Sequence, residues 1–310
     1  MTKGWRFRSG GLTIDADRPL PGLALSDDAA ADELRLRVGD RRTIPLDPPD
    51  GERIVDPGER YKRLYFAVRD DDGYLLRFFG QCDVHLTKDL TSATYHRDPG
   101  ADDGLVDVLI AGTFLALVLS LRGTCVLHAS AVEVNGRALA FVGYSGMGKS
   151  TLTIASCAAG ARLIAEDVLA VETEAHPTCL PGNTDIRLRK GSVSLIERVP
   201  DAERVATADG RHAVRPALTK LTAIPLDTLV IPLPDRNADE LTVKTLPATS
   251  ALFRLLNFPR VIGLCEPAVV RRQFEGAGAI ARAVPVRAAT VPWGPPFRDD
   301  LGERLLELMT

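Results

Sequence analysis

Eleven residues, Phe141–Thr151 (FVGYSGMGKST), constrain this chain more than any other stretch. Gly143 to Ser150 fits G-x-x-x-x-G-K-[ST] without a gap. Glycines at 143, 146 and 148 let the backbone take positive φ, so that several N–H groups can converge on one anion. Lys149 can reach β- and γ-phosphates, and the Ser150 hydroxyl can ligate Mg²⁺. Gly143, Ser145, Gly146, Met147, Gly148, Lys149, Ser150 and Thr151 are therefore the expected phosphate-binding residues. The flanks agree: Arg137–Val142 (RALAFV) reads as a buried strand and Ser150–Ala159 as a helix. The loop then sits at a helix N-terminus, where the dipole favours an anion. The alternative is a glycine-rich turn with a chance lysine.

The chain before the loop adds a local peculiarity. Cys125–Val134 (CVLHASAVEV) reads as one strand, and Asn135-Gly136 is a two-residue hairpin signal. Two antiparallel strands thus lead into the loop, unlike plain alternating βα units. After the loop, Gly160 ends the helix and Arg162–Ala165 begins a short strand. Glu166-Asp167 interrupts it, and Val168–Val171 continues. A charged pair inside an apolar strand is costly unless the carboxylates have partners, and Mg²⁺ beside Ser150 would be one. The competing reading is a surface bulge.

The rest sets the frame. Residues 1–100 look β-rich: Leu34–Val38 alternates apolar and basic, and Leu64–Val68 with Tyr74–Phe79 flank Asp70-Asp-Asp-Gly73 as a hairpin. His85 and His96 have no partner at metal-ligand spacing. Asp98–Gly104 is a polar hinge, so the expected domains are 1–100 and 101–310. Val108–Leu121 is 14 residues of mostly apolar sequence, short of the roughly 18–20 that span a bilayer; a buried core helix over Leu105–Leu121 is expected, with no membrane partner. Arg187, Arg189, Lys190, Arg215 and Lys220 are basic residues that either clamp phosphate or substrate or face water; Arg187 and Lys220 are kept as candidate contacts. Leu229–Leu233 and Val284–Val286 are strand-like, and Ser250–Leu256 and Leu301–Met309 helical. Across 310 residues the net charge is −3, and no strongly basic tail favours nucleic acid. Five scattered cysteines without a CxxC pair, and an N-terminus with no apolar core, lead to the expectation of a reduced, cytoplasmic protein.

Ser145-Gly-Met-Gly-Lys-Ser150, preceded by Leu127-His-Ala-Ser-Ala-Val132 and followed by Leu163-Ile-Ala-Glu-Asp-Val168, resembles the catalytic domain of HPr kinase/phosphorylase, a bacterial protein-serine kinase. It is more similar still to the stand-alone homologues of lasso-peptide biosynthetic clusters, which carry a segment like Leu119–Ser130 and a stretch like Leu180-Pro-Gly…Arg187-Leu188. The resemblance implies an α/β fold: a phosphoenolpyruvate-carboxykinase-like P-loop kinase core, with a mixed sheet flanked by helices, behind a β-rich N-terminal domain. It implies ATP and Mg²⁺ as cofactors and phosphate transfer to a serine, usually C-terminal, of a lasso precursor peptide. His128 matches the family's active-site histidine. The family's paired aspartates fall at Glu166 and Asp167, one acting as general base and its neighbour helping Ser150 hold Mg²⁺, with Asp167 taken as the metal ligand. The glutamate departs from the pattern and leaves open which carboxylate is the base. The related bifunctional enzymes are hexamers, so a homo-oligomer is an open expectation. Two other functions stay in view: a kinase of another protein or small-molecule hydroxyl, and a nucleotide-binding regulatory switch without transferase activity.

Overall fold

The computed structural model describes residues 4–26, 33–58, 64–205 and 212–309. The chain forms two compact units, Met1–Thr124 with Val261–Gln273, and Cys125–Arg260 with Phe274–Thr310. The first closes later in sequence than the polar hinge near residue 100, and it takes back a segment from the far end of the chain.

Among the described residues, the first unit is built on a nine-stranded sheet. Its strands are β1 (Trp5–Ser9), β2 (Leu12–Ala16), β3 (Ala24–Leu25), β4 (Glu33–Val38), β5 (Glu52–Val55), β6 (Tyr65–Arg69), β7 (Gly73–Phe78), β8 (Cys82–Thr87) and β9 (Ser92–Arg97). Their order is β3-β1-β2-β4-β9-β8-β7-β6-β5. β4 runs parallel to both β2 and β9, and the other pairs are antiparallel. The alternation in β4 works as read: Leu34 and Leu36 are buried and Arg35 is exposed. The β6–β7 hairpin forms because Asp70 Oδ1 accepts the N–H groups of Asp72 and Gly73, each at 2.9 Å. His85 and His96 meet edge to face at 5.8 Å, with Arg42 at 2.9 Å from His85 Nε2 and the Asp40 carbonyl at 3.1 Å from His96 Nδ1.

The apolar helix belongs to this first unit. It is not one uniform α-helix: α1 (Asp103–Leu109) and α2 (Leu115–Leu121) are joined by a π-helical turn, Ile110–Phe114. Asp102 caps it by accepting from Leu105 N at 2.9 Å. Arg18 pairs with Asp107 at 2.9 Å, and Asp103 with Arg97 at 2.9 Å and Arg41 at 2.6 Å. Asp103–Leu121 is long and apolar enough to cross a membrane by length and composition, but 78% of its apolar 18-residue window is buried, as expected of a core helix. The returning segment extends the β5 edge: Asp56 N donates to Gly263 O at 2.8 Å and Cys265 N to Ile54 O at 2.9 Å. Gly263 has φ +82, and a Cβ there would lie 2.3 Å from the Asp56 carbonyl, so only glycine allows this approach.

The second unit is mixed α/β. Its strands are β10 (Cys125–Leu127), β11 (Ala129–Val134), β12 (Arg137–Val142), β13 (Arg162–Ala165), β14 (Leu169–Glu172), β15 (Thr178–Leu180), β16 (Ile186–Leu188), β17 (Glu203–Val205), β18 (His212–Arg215), β19 (Ile224–Asp235), β20 (Thr242–Thr245) and β21 (Val286–Pro292). The main sheet runs β10-β14-β15-β19-β12-β11-β13, with β21 beside β19 and β20 beside β21; β16-β18-β17 form a small separate sheet. β12, β19 and β21 are parallel, and β11–β12 is the antiparallel hairpin expected from Asn135-Gly136. Helices are α3 (Lys149–Ala158), α4 (Ala248–Leu256), α5 (Pro267–Ala283), whose last ten residues belong to this unit, and α6 (Leu301–Leu306), plus a 3-10 helix, Lys190–Arg198.

β12 shows why helices cover both faces. Ala138, Ala140 and Val142 belong to one buried cluster with Ala251 and Leu255 of α4 and Ile280 of α5. Leu139 and Phe141 belong to another with Leu152 of α3 and Leu305 of α6. A strand buried on both faces reads as a continuous apolar run, which is what RALAFV is. Each large side chain so buried contributes about 1.5–3 kcal/mol.

Candidate active site

The site is made by an interruption in a β-ladder. Residues 125–134 and 162–172 run antiparallel, pairing Cys125 with Val171 through Leu127 with Leu169, then Ala131 with Ala165 through Glu133 with Arg162. Between these stretches the backbone groups turn to other partners. His128 N donates to Phe258 O and Gly143 N to His128 O, each at 3.3 Å; Glu166 N donates to Asn183 O at 3.0 Å. The strand expected over Cys125–Val134 is thus broken at His128, because its main-chain groups serve the loop and the 258 region. The opening brings His128, Ser130, Glu166 and Asp167 to one level beside the phosphate loop.

Asp167 is at the apex of the interruption. Val168 N donates back to Glu166 O at 2.8 Å, closing a three-residue turn in which Asp167 has φ +68. Tight turns of this kind with a positive φ at a non-glycine residue are rare and strained, and such strain gathers at functional sites. It aims neighbouring carboxylates in different directions. The Ser150 hydroxyl donates to Glu166 Oε1. Asp167 instead meets Arg260, whose Nη2 is 2.7 Å from Oδ2, and His128, whose Nε2 is 3.0 Å from Oδ1. The resemblance assigns Ser150 and Asp167 to the metal; in the structure the carboxylate that meets the Ser150 hydroxyl is that of Glu166.

The loop takes positive φ at two of the three glycines expected to do so; Gly143 does not take it. Gly146 and Gly148 take φ +93 and +90, and α3 starts at Lys149. Lys149 is 6% exposed; its Nζ donates to the carbonyls of Gly143 at 2.9 Å and Tyr144 at 3.2 Å, and lies 3.1 Å from His128 Nε2. One ring nitrogen is therefore shared between a carboxylate and an ammonium: a proton on Nε2 serves Asp167, and a bare Nε2 accepts from Lys149. Met147 Sδ receives the Tyr144 N–H at 3.2 Å, and Thr151 Oγ1 is 2.9 Å from Ser192 Oγ. Tyr144 and Ser145 are exposed at the tip.

The electrostatics divide the two acids. Burial pushes the Glu166 carboxyl up, against the hydroxyls of Ser130 and Ser150. Burial also works against charge on Asp167, but Arg260, His128 and Lys149 outweigh it and hold this carboxyl well below its ordinary value. Burial lowers His128 and Lys149, partly offset in each by Asp167. The resulting arrangement has an ionised Asp167 beside a neutral imidazole, and a Glu166 that holds its proton more readily.

Mg²⁺ fits the donor set. Glu166 Oε2 is buried and has no hydrogen-bond partner, while Oε1 lies against the Ser150 hydroxyl. Mg²⁺ is commonly held by one or two carboxylates, a hydroxyl, phosphate oxygens and water, so a pre-formed protein cage is not required. Among the described residues, no group of three or more His, Cys, Asp or Glu could by itself hold a metal ion.

No family model matches this chain, and no curated protein matches it. Among solved structures it is similar to the Hpr(Ser) kinase/phosphatase from Coxiella burnetii, at 12% identity over 59% of this chain and 93% of that one, with a TM-score of 0.32. A superposition this loose carries no argument about chemistry.

Of the two cations kept as candidate contacts, Arg187 is half-buried in β16 opposite Ala213, and Lys220 is exposed. The guanidinium that reaches the loop is Arg189: its terminal nitrogens lie 3.9 Å from where a Gly146 Cβ would be. Arg260, Ser130 and Trp293, which packs on Gly148, were not singled out from sequence. Arg260 stands 93 residues from Asp167 and Trp293 is also distant in sequence from Gly148, and neither sits in a motif. Ser130 lay within the resembling segment but carried no spacing signal of its own.

Proposed function

We propose that this protein is an ATP-dependent kinase that transfers phosphate to a serine hydroxyl, the C-terminal serine of a lasso precursor peptide being the preferred acceptor. The observation that carries the kinase reading is the convergence of a G-x-x-x-x-G-K-[ST] loop with two carboxylates and a histidine at one ladder break. The acceptor rests on the sequence resemblance around His128, Gly143–Ser150 and Glu166-Asp167.

Phosphoryl transfer asks the protein for position and charge neutralisation more than for covalent chemistry. Gly143–Thr151 would hold the ATP phosphates, with Lys149 on the β- and γ-phosphates. Bound Mg²⁺ would supply charge neutralisation at the phosphate oxygens, held by Ser150 and Glu166. Asp167 is the proposed general base. Its side chain is 43% exposed and so within reach of an incoming hydroxyl, whereas Glu166 is buried and committed to Ser150. A carboxylate of such low basicity orients the hydroxyl first and takes its proton late, as the bond to phosphorus forms. Neutral His128 keeps Asp167 aligned, and Arg260 keeps it ionised.

The test is intact-mass analysis after incubation with ATP, Mg²⁺ and a lasso precursor ending in serine, with wild type beside Lys149→Ala. A gain of one or more phosphate masses with wild type alone supports the proposal, and fragmentation locates the acceptor. ATP hydrolysis without mass gain on any peptide or small hydroxyl acceptor would overturn it in favour of a nucleotide-dependent switch.

A further inference from the structure

Ligands of sheets with parallel strands bind outside the carboxyl ends of those strands. Three parallel strands of the second unit, β12, β19 and β21, end on one side. β12 leads into the phosphate loop. β21 leads into Trp293, whose N–H donates to the Asp235 carbonyl at the end of β19, at 3.0 Å. Trp293 is thus fixed at the same rim as the loop, by its main chain as well as its ring.

The ring is held against the loop itself. Its Cη2 lies 2.2 Å, and Cζ3 and Cζ2 lie 2.8 and 3.0 Å, from where a Gly148 Cβ would be. A side chain at 148 is excluded both by this edge and by φ +90. Phe297 packs at right angles to the indole, with ring centroids 5.3 Å apart. One edge of the indole therefore abuts the loop, Phe297 braces it, and it remains only partly buried.

The loop's other flank is occupied by chemistry. Lys149 faces His128, with Asp167 and Arg260 beyond, and on the kinase reading that is where the terminal phosphate and the acceptor hydroxyl would meet. A nucleotide whose γ-phosphate lies at Lys149 leads its α-phosphate, and then its nucleoside, away from that cluster along the start of α3. Gly148 and its indole lie next to that start.

We propose that Trp293 is the stacking platform for the nucleotide's base. This inference rests on the nucleotide reading of the loop and deepens it: the protein takes a nucleoside triphosphate, not a bare polyphosphate, and selects it through an aromatic surface that tolerates more than one purine. Stacking on a π-face adds affinity without hydrogen-bond readout. Trp293 would contribute to nucleotide affinity and little to the chemical step.

The experiment compares binding of ADP and of inorganic tripolyphosphate, by calorimetry with Mg²⁺, to wild type, Trp293→Leu and Trp293→Phe. Melting temperatures confirm that each variant is folded. Trp293→Leu is expected to weaken ADP about tenfold, the scale of one base–aromatic stack, and to leave tripolyphosphate unchanged; Trp293→Phe is expected to recover most of the loss. Indole emission should change on adding ADP to wild type, and that change should vanish in Trp293→Leu, which keeps only the other tryptophan, Trp5. Equal weakening of both ligands would overturn the proposal, making Trp293 a brace for the loop. Unchanged ADP affinity would also overturn it. Wild type binding tripolyphosphate but no nucleotide refutes the platform and keeps the loop; wild type binding neither refutes the phosphate loop and the platform with it.

Discussion

Replacing Asp167 by asparagine separates its charge from its backbone. Asparagine tolerates the left-handed region, so φ +68 is kept and the tight turn with it. What is lost is a carboxylate with Arg260 at 2.7 Å and His128 at 3.0 Å. A hydrogen bond to a charged group is worth about 1.5–3 kcal/mol when shielded; with the Asp167 side chain 43% exposed, solvent screening brings the expected loss to about 1–2 kcal/mol at pH 7. For a unit of this size that lowers the melting temperature by about 2–8 °C. Asp167→Ala should lose about 1 kcal/mol more, since alanine resists positive φ. The pH dependence identifies the charge. Asp167's folded pKa lies well below its ordinary 3.8, so its contribution is fully present above the unfolded value and is lost as pH falls through the folded one. The gap between urea melts of wild type and Asp167→Asn should persist from pH 7 to 5, widening as His128 begins to charge because Asp167 supports its protonated form, and should close below about pH 4. In the same variant, phosphate transfer should drop about 10²-fold or more with nucleotide binding retained. A variant as stable as wild type at pH 7, or one that transfers phosphate at the wild-type rate, would refute the reasoning from the ladder break.

Two further outcomes follow from particular contacts. Glu166→Gln keeps shape but removes a metal-ligating charge, so half-maximal activity should need about tenfold more Mg²⁺, as read from a Mg²⁺ titration; because burial raises Glu166 above its ordinary 4.5, wild-type Mg²⁺ affinity should fall with acidification sooner than an ordinary carboxylate would allow. Gly302→Ala tests the packing of α6 on α3, where an added Cβ would lie 2.1 Å from the Ala155 carbonyl; overpacking of this kind costs about 1–3 kcal/mol, to be seen as a lower urea midpoint with the urea dependence of stability unchanged.

The phosphate loop was legible because its chemistry is local: glycines, lysine and hydroxyl must be neighbours in sequence to surround one anion. Glu166-Asp167 stood out because charge inside an apolar run is expensive, and the structure places both carboxylates beside the loop. Their division was not legible. It depends on a positive φ at Asp167 and on Arg260, and a tertiary ion pair leaves no periodic trace. The break at His128 was hidden for a similar reason, since CVLHASAVEV has the composition of one strand and only the competing main-chain partners at Gly143 and Phe258 divide it. The mixed sheet with helices on both faces matches the expected α/β class. The helix expected over Leu105–Leu121 lies in the first unit; Asp103 and Asp107 near its start pair with Arg18, Arg41 and Arg97, which sequence order alone would not join.

The return of Val261–Gln273 to the first unit imposes a timetable on synthesis. All nine strands of that unit have left the ribosome long before Leu264 can bridge to Val55. At about 5–20 residues per second, the roughly 200 intervening residues take about 10–40 s. Throughout that interval the β5 edge presents unpaired main-chain groups, the kind of surface that invites pairing with another chain. The N-terminal unit therefore starts first and finishes late, and a nascent chain that stalls before residue 265 carries a complete phosphate loop and both carboxylates on a protein whose first unit is still open.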